Sequence, residues 1–262
     1  MTKALKPQCV FDRIEKKYLL NVDTCKALLA GMKGRVTMDD YGKYTICNIY
    51  YDTEDYDLIR RSIDKPKYKE KLRLRSYGVP GMEDPVFLEI KKKWKKTVYK
   101  RRMPMKLKEA DIFMSRGIYP GKAAAEDQQI LKELSYFQSF YNPEPKLFLA
   151  YDRIAFAGVD DPELRITFDT GIRSRYDNLS LAAGDQGRPL LKKGWILMEI
   201  KAGEAFPIWL SELLAKLTIY PRSFSKYGSI YRRDKLSGTI GRASYPAAKT
   251  ETGGQKICSQ VS

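Results

Sequence analysis

Charged and apolar residues alternate along much of this chain with a period of two, most clearly in Lys69-Glu70-Lys71-Leu72-Arg73-Leu74-Arg75-Ser76-Tyr77. Successive side chains on a strand point to opposite faces. Lys69, Lys71, Arg73 and Arg75 therefore share one face, and Leu72 and Leu74 the other. At least five other strand-like segments repeat the placement. Residues 11–20 carry Arg13, Glu15 and Lys17 on one side, and residues 86–93 carry Glu89, Lys91 and Lys93. Residues 147–156 alternate Tyr151 with Arg153, residues 164–169 alternate Arg165, Thr167 and Asp169, and residues 195–201 place Glu199 two from Lys201. Residues 97–105, with Lys100, Arg101 and Arg102, follow a hairpin-like join at Trp94-Lys95-Lys96. Residues 44–51, rich in β-branched and aromatic side chains, read as one more strand.

Elsewhere the period lengthens. Asp23 and Thr24 can cap a short helix through Ala27, Leu28, Leu29 and Met32. A turn or short helix is expected at 56–62, and a strong turn at Gly78-Val-Pro-Gly81. Residues 106–118 and 125–141 take helical spacing, with Ile130, Leu131, Leu134, Phe137 and Tyr141 in one stripe that reads as core. Pro207 opens an amphipathic helix through Leu210, Leu213, Leu214 and Leu217. Residues 176–194 and 221–228 read as loops or a helix exit. The small, polar stretch 237–262 reads as a disordered tail behind a single domain, 1–236.

A single basic strand face is ordinarily solvated. Its recurrence, with carboxylates on the same face, predicts strands closing round a polar interior. Arg73, Arg75, Lys91, Arg165 and Lys201 should then point into one cavity, with Leu72, Leu74, Ile90 and Ile166 turned outward under helices. So many like charges exclude a dry core. A wet tunnel requires about eight strands or more.

The chain has 262 residues and a formal charge of +16, which points to a polyanionic partner. Arginine forks bind phosphate bidentately and lysines bind it as point charges. Glu15, Glu89 and Glu199 would repel phosphate, so they need lysine partners or a divalent metal in between. The rival reading is a nucleic-acid-binding sheet with Tyr68, Tyr77 and Tyr99 stacking on bases; glutamate beside arginine on the same face argues against it, and no nucleic-acid partner is expected. The chain contains no histidine, and its four cysteines are scattered. Imidazole-based triads, zinc clusters and a disulfide framework are thereby excluded, leaving only oxygen-ligated metals. No run approaches the ~18 apolar residues of a membrane span, and no signal-peptide core is present, so a cytoplasmic location is expected.

Arg13-Ile-Glu-Lys-Lys17-Tyr, Lys71-Leu-Arg-Leu-Arg75, Phe87-Leu-Glu-Ile-Lys91, Ala150-Tyr-Asp-Arg153, Leu164-Arg-Ile-Thr-Phe-Asp169, Met198-Glu-Ile-Lys201 and Phe224-Ser-Lys-Tyr-Gly228 occur in this order. Together, across roughly residues 8–233, they resemble the VTC domain, the polyphosphate polymerase domain within the triphosphate-tunnel superfamily. The resemblance implies an α+β fold: an antiparallel β-barrel tunnel of about eight strands with helices outside. It implies ATP with manganese or magnesium as reactants, inorganic polyphosphate or tripolyphosphate in the tunnel, and a possible membrane-protein partner. Carried over, Lys17, Arg73, Arg75, Lys91, Arg153, Arg165 and Lys226 are the catalytic phosphate ligands. Arg13, Lys71, Lys100, Tyr151, Lys201 and Ser225 are further phosphate contacts, and Glu199 is the metal ligand. Related tunnel hydrolases open with Glu-x-Glu-x-Lys, whereas this chain has Arg13 at the first glutamate position. That departure favours phosphate binding over water activation. Triphosphatase activity and a non-catalytic polyphosphate-binding module are the alternatives.

Overall fold

The computed structural model describes residues 10–11, 14–95 and 97–240. The strands are β1 (Val10–Phe11), β2 (Ile14–Leu20), β3 (Val36–Asp52), β4 (Tyr68–Tyr77), β5 (Pro85–Trp94), β6 (Thr97–Lys106), β7 (Glu144–Gly158), β8 (Arg165–Arg175), β9 (Arg188–Pro189) and β10 (Ile196–Ala202). They form one antiparallel sheet in the order β1-β6-β5-β4-β3-β7-β8-β10-β2, with β9 paired to β8. The end strands β1 and β2 are consecutive in sequence, one bound to β6 and the other to β10. The expected first strand is thus two pieces with different partners, and the N-terminal stretch draws the sheet round into a tunnel.

Register fixes which side chains line it. Lys71 lies opposite Lys91, Arg73 opposite Glu89, and Arg75 opposite Phe87. Glu89 in turn faces Arg102, and Lys91 faces Lys100. The alternate set, Leu72, Leu74, Leu88 and Ile90, is fully buried outside the tunnel against α3 (Leu107–Arg116) and α4 (Gln128–Tyr141). Ile166 and Ile200 likewise pack beneath α1 (Val22–Gly31) and α5 (Ile208–Lys216). Burying each such side chain contributes roughly 1.5–3 kcal/mol. A one-residue slip would reverse the faces of a whole strand, so the register is strongly held.

A third apolar cluster lies on the inner face. Ile46, Tyr50, Leu147, Leu149 and Leu197 pack against Ile59 of α2 (Asp57–Ile63) and Tyr227, Ile230 and Tyr231 of α6 (Lys226–Leu236). Helix α6 therefore fills part of one end of the tunnel, beginning at Lys226 inside the stretch 221–228 that reads from sequence as a helix exit or loop. The Ser225 hydroxyl starts this helix by accepting from the Gly228 amide at 3.2 Å. Buried Asp52 anchors α2 and α6 together, accepting from the Leu58 and Ile59 amides at 2.8 and 3.0 Å and from the Tyr227 hydroxyl at 3.0 Å.

Two local expectations change. Asn21, not Asp23 or Thr24, caps α1, its side chain accepting from the Thr24 amide at 2.8 Å. Strand β3 begins eight residues earlier than expected and passes through an irregular stretch between Met38 and Lys43, where Gly42 takes φ 59°. Residues 239 and 240 are tied to α6 through amide bonds to the Asp234 carbonyl. The tail beyond residue 240 lies outside the described residues. Among those residues no helix is long and apolar enough to cross a membrane.

Candidate polyanion tunnel

The inner face carries three carboxylate centres, each surrounded by cations from several strands. Glu89 is almost fully buried and meets Arg73 at 2.7 Å, Lys100 at 2.9 Å and Arg102 at 2.5 Å, with Arg75 at 4.0 Å. Burial alone would raise its carboxyl, but these four cations hold it well below the usual carboxylate range. Arg75 is also aimed by the Asn48 side chain at 2.9 Å and the Tyr151 hydroxyl at 3.2 Å. Asn48 is fixed by its own donation to the Leu149 carbonyl at 3.0 Å.

The second centre is Asp169, which has no exposed side-chain surface. Arg153 donates to both its oxygens at 2.7 and 2.9 Å, and Lys226 reaches it at 2.6 Å. The Tyr151 ring lies beneath both cations, 4.2 Å from the Lys226 nitrogen and 5.2 Å from the Arg153 guanidinium. The third centre joins Glu15 and Glu199. Lys17 contacts them at 2.7 and 3.6 Å, and Lys201 at 4.0 and 2.9 Å. Here too burial would raise the Glu199 carboxyl, and Lys201, Lys17 and Lys226 outweigh it.

Lys71 and Lys91 have no carboxylate within 4 Å among the described residues. Lys71 donates to the Ser225 hydroxyl at 3.4 Å. Burial pulls its amine down to about 8, and Lys91 is pulled down for the same reason. Burial would raise the nearby Tyr50 phenol, but Arg73, Lys71 and Arg75 bring it to about 8. Tunnel cations outnumber carboxylates by more than two to one. Among the described residues Lys71 and Lys91 make no carboxylate contact, and only Glu15, from farther off, offsets the charge of Lys91. Such an interior suits a compact polyanion and disfavours a dry state.

Lys17, Lys71, Arg73, Arg75, Lys91, Lys100, Tyr151, Arg153, Glu199, Lys201, Ser225 and Lys226 therefore meet in one interior. Arg165 shares the face but stands at the mouth, its side chain 58% exposed and 3.4 Å from Asp39. Arg13 lies outside the described residues. The crowding at 100–102 resolves by alternation: Lys100 and Arg102 face inward, and Arg101 bonds Glu133 outside at 3.2 Å. Asp169, Asn48, Tyr50 and Arg102 complete the interior. Asp169 already stood in the alternation with Arg165 and Thr167, and period-two spacing from Ile46 and Lys100 could have found the other three. The stacking face proposed for nucleic acid is divided, because Tyr77 lies on the inner face whereas Tyr68 and Tyr99 lie on the outer one.

Among the described residues no three acidic or sulfur ligands gather as a metal cage. The donor set does fit a hard cation of the magnesium or manganese kind that takes one or two carboxylates and completes its shell with phosphate oxygens and water. Glu199, with Glu15 beside it, would be that donor.

The VTC domain family matches residues 12–233, most of the chain. This protein belongs to the VTC domain family. It is similar to vacuolar transporter chaperone complex subunit 4 of Schizosaccharomyces pombe, with 30% identity over 175 residues covering 59% of this chain and 23% of that one. It is also similar to the subunit 4 protein of Trypanosoma brucei brucei, with 25% identity over 217 residues covering 70% of this chain and 27% of that one. The chain thus spans about a quarter of the length of the curated relatives it matches. A more distant likeness in outline links it to a candidate adenylate cyclase structure from Bacillus halodurans, at 14% identity and TM-score 0.49, covering 83% of this chain and 96% of that one.

Proposed function

We propose that this VTC domain is a phosphotransferase of the polyphosphate polymerase type, passing the terminal phosphate of ATP to a polyphosphate chain held in its tunnel. The observation that carries the reading is the gathering of cations from β2, β4, β5, β6, β7, β10 and the start of α6 on one interior, with Lys71 and Lys91 making no carboxylate contact among the described residues. Phosphoryl transfer through a loose transition state demands positioning and charge neutralisation more than a strong base, so the lack of histidine is no obstacle. In this reading a terminal oxygen of polyphosphate attacks the γ-phosphorus, the bond to the ADP oxygen breaks, and ADP leaves. Arg73, Arg75, Lys91 and Arg153 hold the equatorial oxygens, while Lys17, Lys226 and Ser225 align the acceptor end. Bound at Glu199, a manganese or magnesium ion would supply neutralisation of charge on the bridging oxygens.

Purified protein incubated with ATP and manganese or magnesium should form polyphosphate and ADP. Release of free phosphate without polymer would instead favour the triphosphatase reading. Tight tripolyphosphate binding with neither product would leave a polyphosphate-binding module. A cytoplasmic site of action, with a membrane-protein partner, belongs to the same proposal.

A further inference from the structure

One mouth of the tunnel differs from the rest in being aromatic. Tyr77 lies opposite Ile46, Tyr44 opposite Arg153, and Phe87 opposite Arg75, so all three belong to the inner face. Their rings meet edge-on or tilted, Tyr44 to Tyr77 at 6.0 Å and Tyr77 to Phe87 at 5.7 Å, with Tyr41 against Tyr44 at 6.1 Å. Tyr77 and Tyr41 remain 49% and 81% exposed, with the Arg102 guanidinium 6.0 Å from the Tyr77 ring centroid on one side. The Arg102 guanidinium lies 4.5 Å over Phe87 and bonds the Tyr77 hydroxyl at 3.2 Å, linking this rim to the Glu89 centre. Deeper in, the ring of Tyr50 is covered by Tyr227 at 4.8 Å and that of Tyr151 by Lys226 at 4.2 Å.

We infer that this rim, with Tyr77 as its platform, holds the base of a nucleoside triphosphate, so that the nucleotide enters base outward and phosphates inward. The inference deepens the phosphotransferase reading and rests on it. Stacking on a tyrosine face suits any base, whereas free inorganic polyphosphate has nothing to place there. Tyr77 stands two residues beyond Arg75 and four beyond Arg73, roughly 7 and 13 Å along the strand. A base at Tyr77 therefore leaves room for the ribose before the phosphates reach the cations. The arrangement tells ATP from a polyphosphate end, the distinction a polymerase must make between donor and acceptor.

The test is calorimetric titration of the parent, Tyr77→Leu, Tyr77→Phe and Tyr41→Ala proteins with ATP and, separately, with tripolyphosphate. Losing a stacking platform should weaken ATP about fivefold or more in Tyr77→Leu. Tripolyphosphate affinity should stay unchanged, which also shows that the variant is folded. Tyr77→Phe keeps the ring and should keep ATP affinity; Tyr41→Ala, on a fully peripheral residue, should show a smaller ATP-only loss. Equal weakening of both ligands, or unchanged ATP binding in Tyr77→Leu, overturns the rim. So does a parent that binds tripolyphosphate but not ATP, a result that also removes the phosphotransferase reading and leaves a polyphosphate-binding module. A parent that binds neither ligand overturns both.

Discussion

Glu89→Gln keeps the side-chain volume and removes the charge that Arg73, Arg75, Lys100 and Arg102 share. Only 2% of the Glu89 side chain is exposed, and three of its contacts lie between 2.5 and 2.9 Å. Removing one partner of a buried ionic network costs about 3–5 kcal/mol, because the remaining charges stay buried without compensation. Arg73 and Arg75 retain Tyr50, Asn48 and Tyr151 as acceptors, which argues for the lower end, about 3 kcal/mol. For a chain of this size that corresponds to a melting temperature lower by roughly 6–12 °C. Tripolyphosphate at ~100 times its dissociation constant should stabilise the parent by about 2.7 kcal/mol. It should stabilise Glu89→Gln by more, since the ligand supplies the missing anion. Urea unfolding followed by fluorescence of Trp94, Trp195 and Trp209, with and without tripolyphosphate, reads both effects. A variant as stable as the parent, or a stability gap equally wide with ligand bound, would refute the role of Glu89 as the counter-ion of the empty tunnel.

Three further outcomes are expected. Burial brings Lys71 and Lys100 down to about 8, and the surrounding cations bring Tyr50 to about 8. Between about pH 8 and about pH 10 the unfolded chain then binds protons that the folded one does not, so the ligand-free protein should gain stability as pH rises. Tripolyphosphate affinity should fall over the same window as the tunnel loses positive charge; denaturation and calorimetry at the two ends would expose either trend running the other way. Glu199→Gln should lower manganese affinity and transfer while leaving metal-free tripolyphosphate binding intact or tighter. Arg73→Ala should instead weaken phosphate by roughly 1.5–3 kcal/mol with or without metal, and parallel losses in the two variants would make Glu199 a structural residue. Asp52→Asn, at a fully buried carboxylate that accepts three bonds joining α2 and α6, should cost about 1–3 kcal/mol. Faster amide exchange at Leu58 and Ile59 would accompany it, and an unchanged urea midpoint would count against this linkage.

Much of the sheet was legible because one physical rule governs both of its faces. Leucine and isoleucine at alternate positions must be covered, so β4, β5, β8 and β10 declare their inner faces by what the outer ones exclude. Arg73, Lys91 and Glu199 fell into place by that rule alone. The same rule blurs where the pattern is not strictly alternating. The irregular stretch before Lys43 hid the first part of β3, and its outward loop carries Asp39 to Arg165 at the mouth. Arg101 and Arg102 were indistinguishable as a run of like charges until the register with Glu89 separated them.

Helix α6 shows why the tunnel's inner end was not legible. Its sequence, Lys226-Tyr-Gly-Ser-Ile-Tyr-Arg-Arg-Asp-Lys-Leu236, has a glycine in the first turn and a weak apolar stripe, so local propensity does not announce it. What stabilises it is tertiary: Tyr227 on Asp52 and Tyr50, Ile230 in the inner cluster, and Tyr231 against Tyr56. Those partners lie some 170 residues earlier in the chain, beyond the reach of any local pattern. The consequence bears on function. Lys226 and Ser225 reach the interior only because α6 is packed inside it, so one end of the proposed polyanion site is held by a helix whose own stability depends on the α2–Asp52 junction. The cations from the strands are fixed by the sheet itself; those from α6 are fixed by a joint. A substitution at that joint, far from any phosphate, should therefore weaken the acceptor end of the tunnel before it disturbs Arg73 or Lys91.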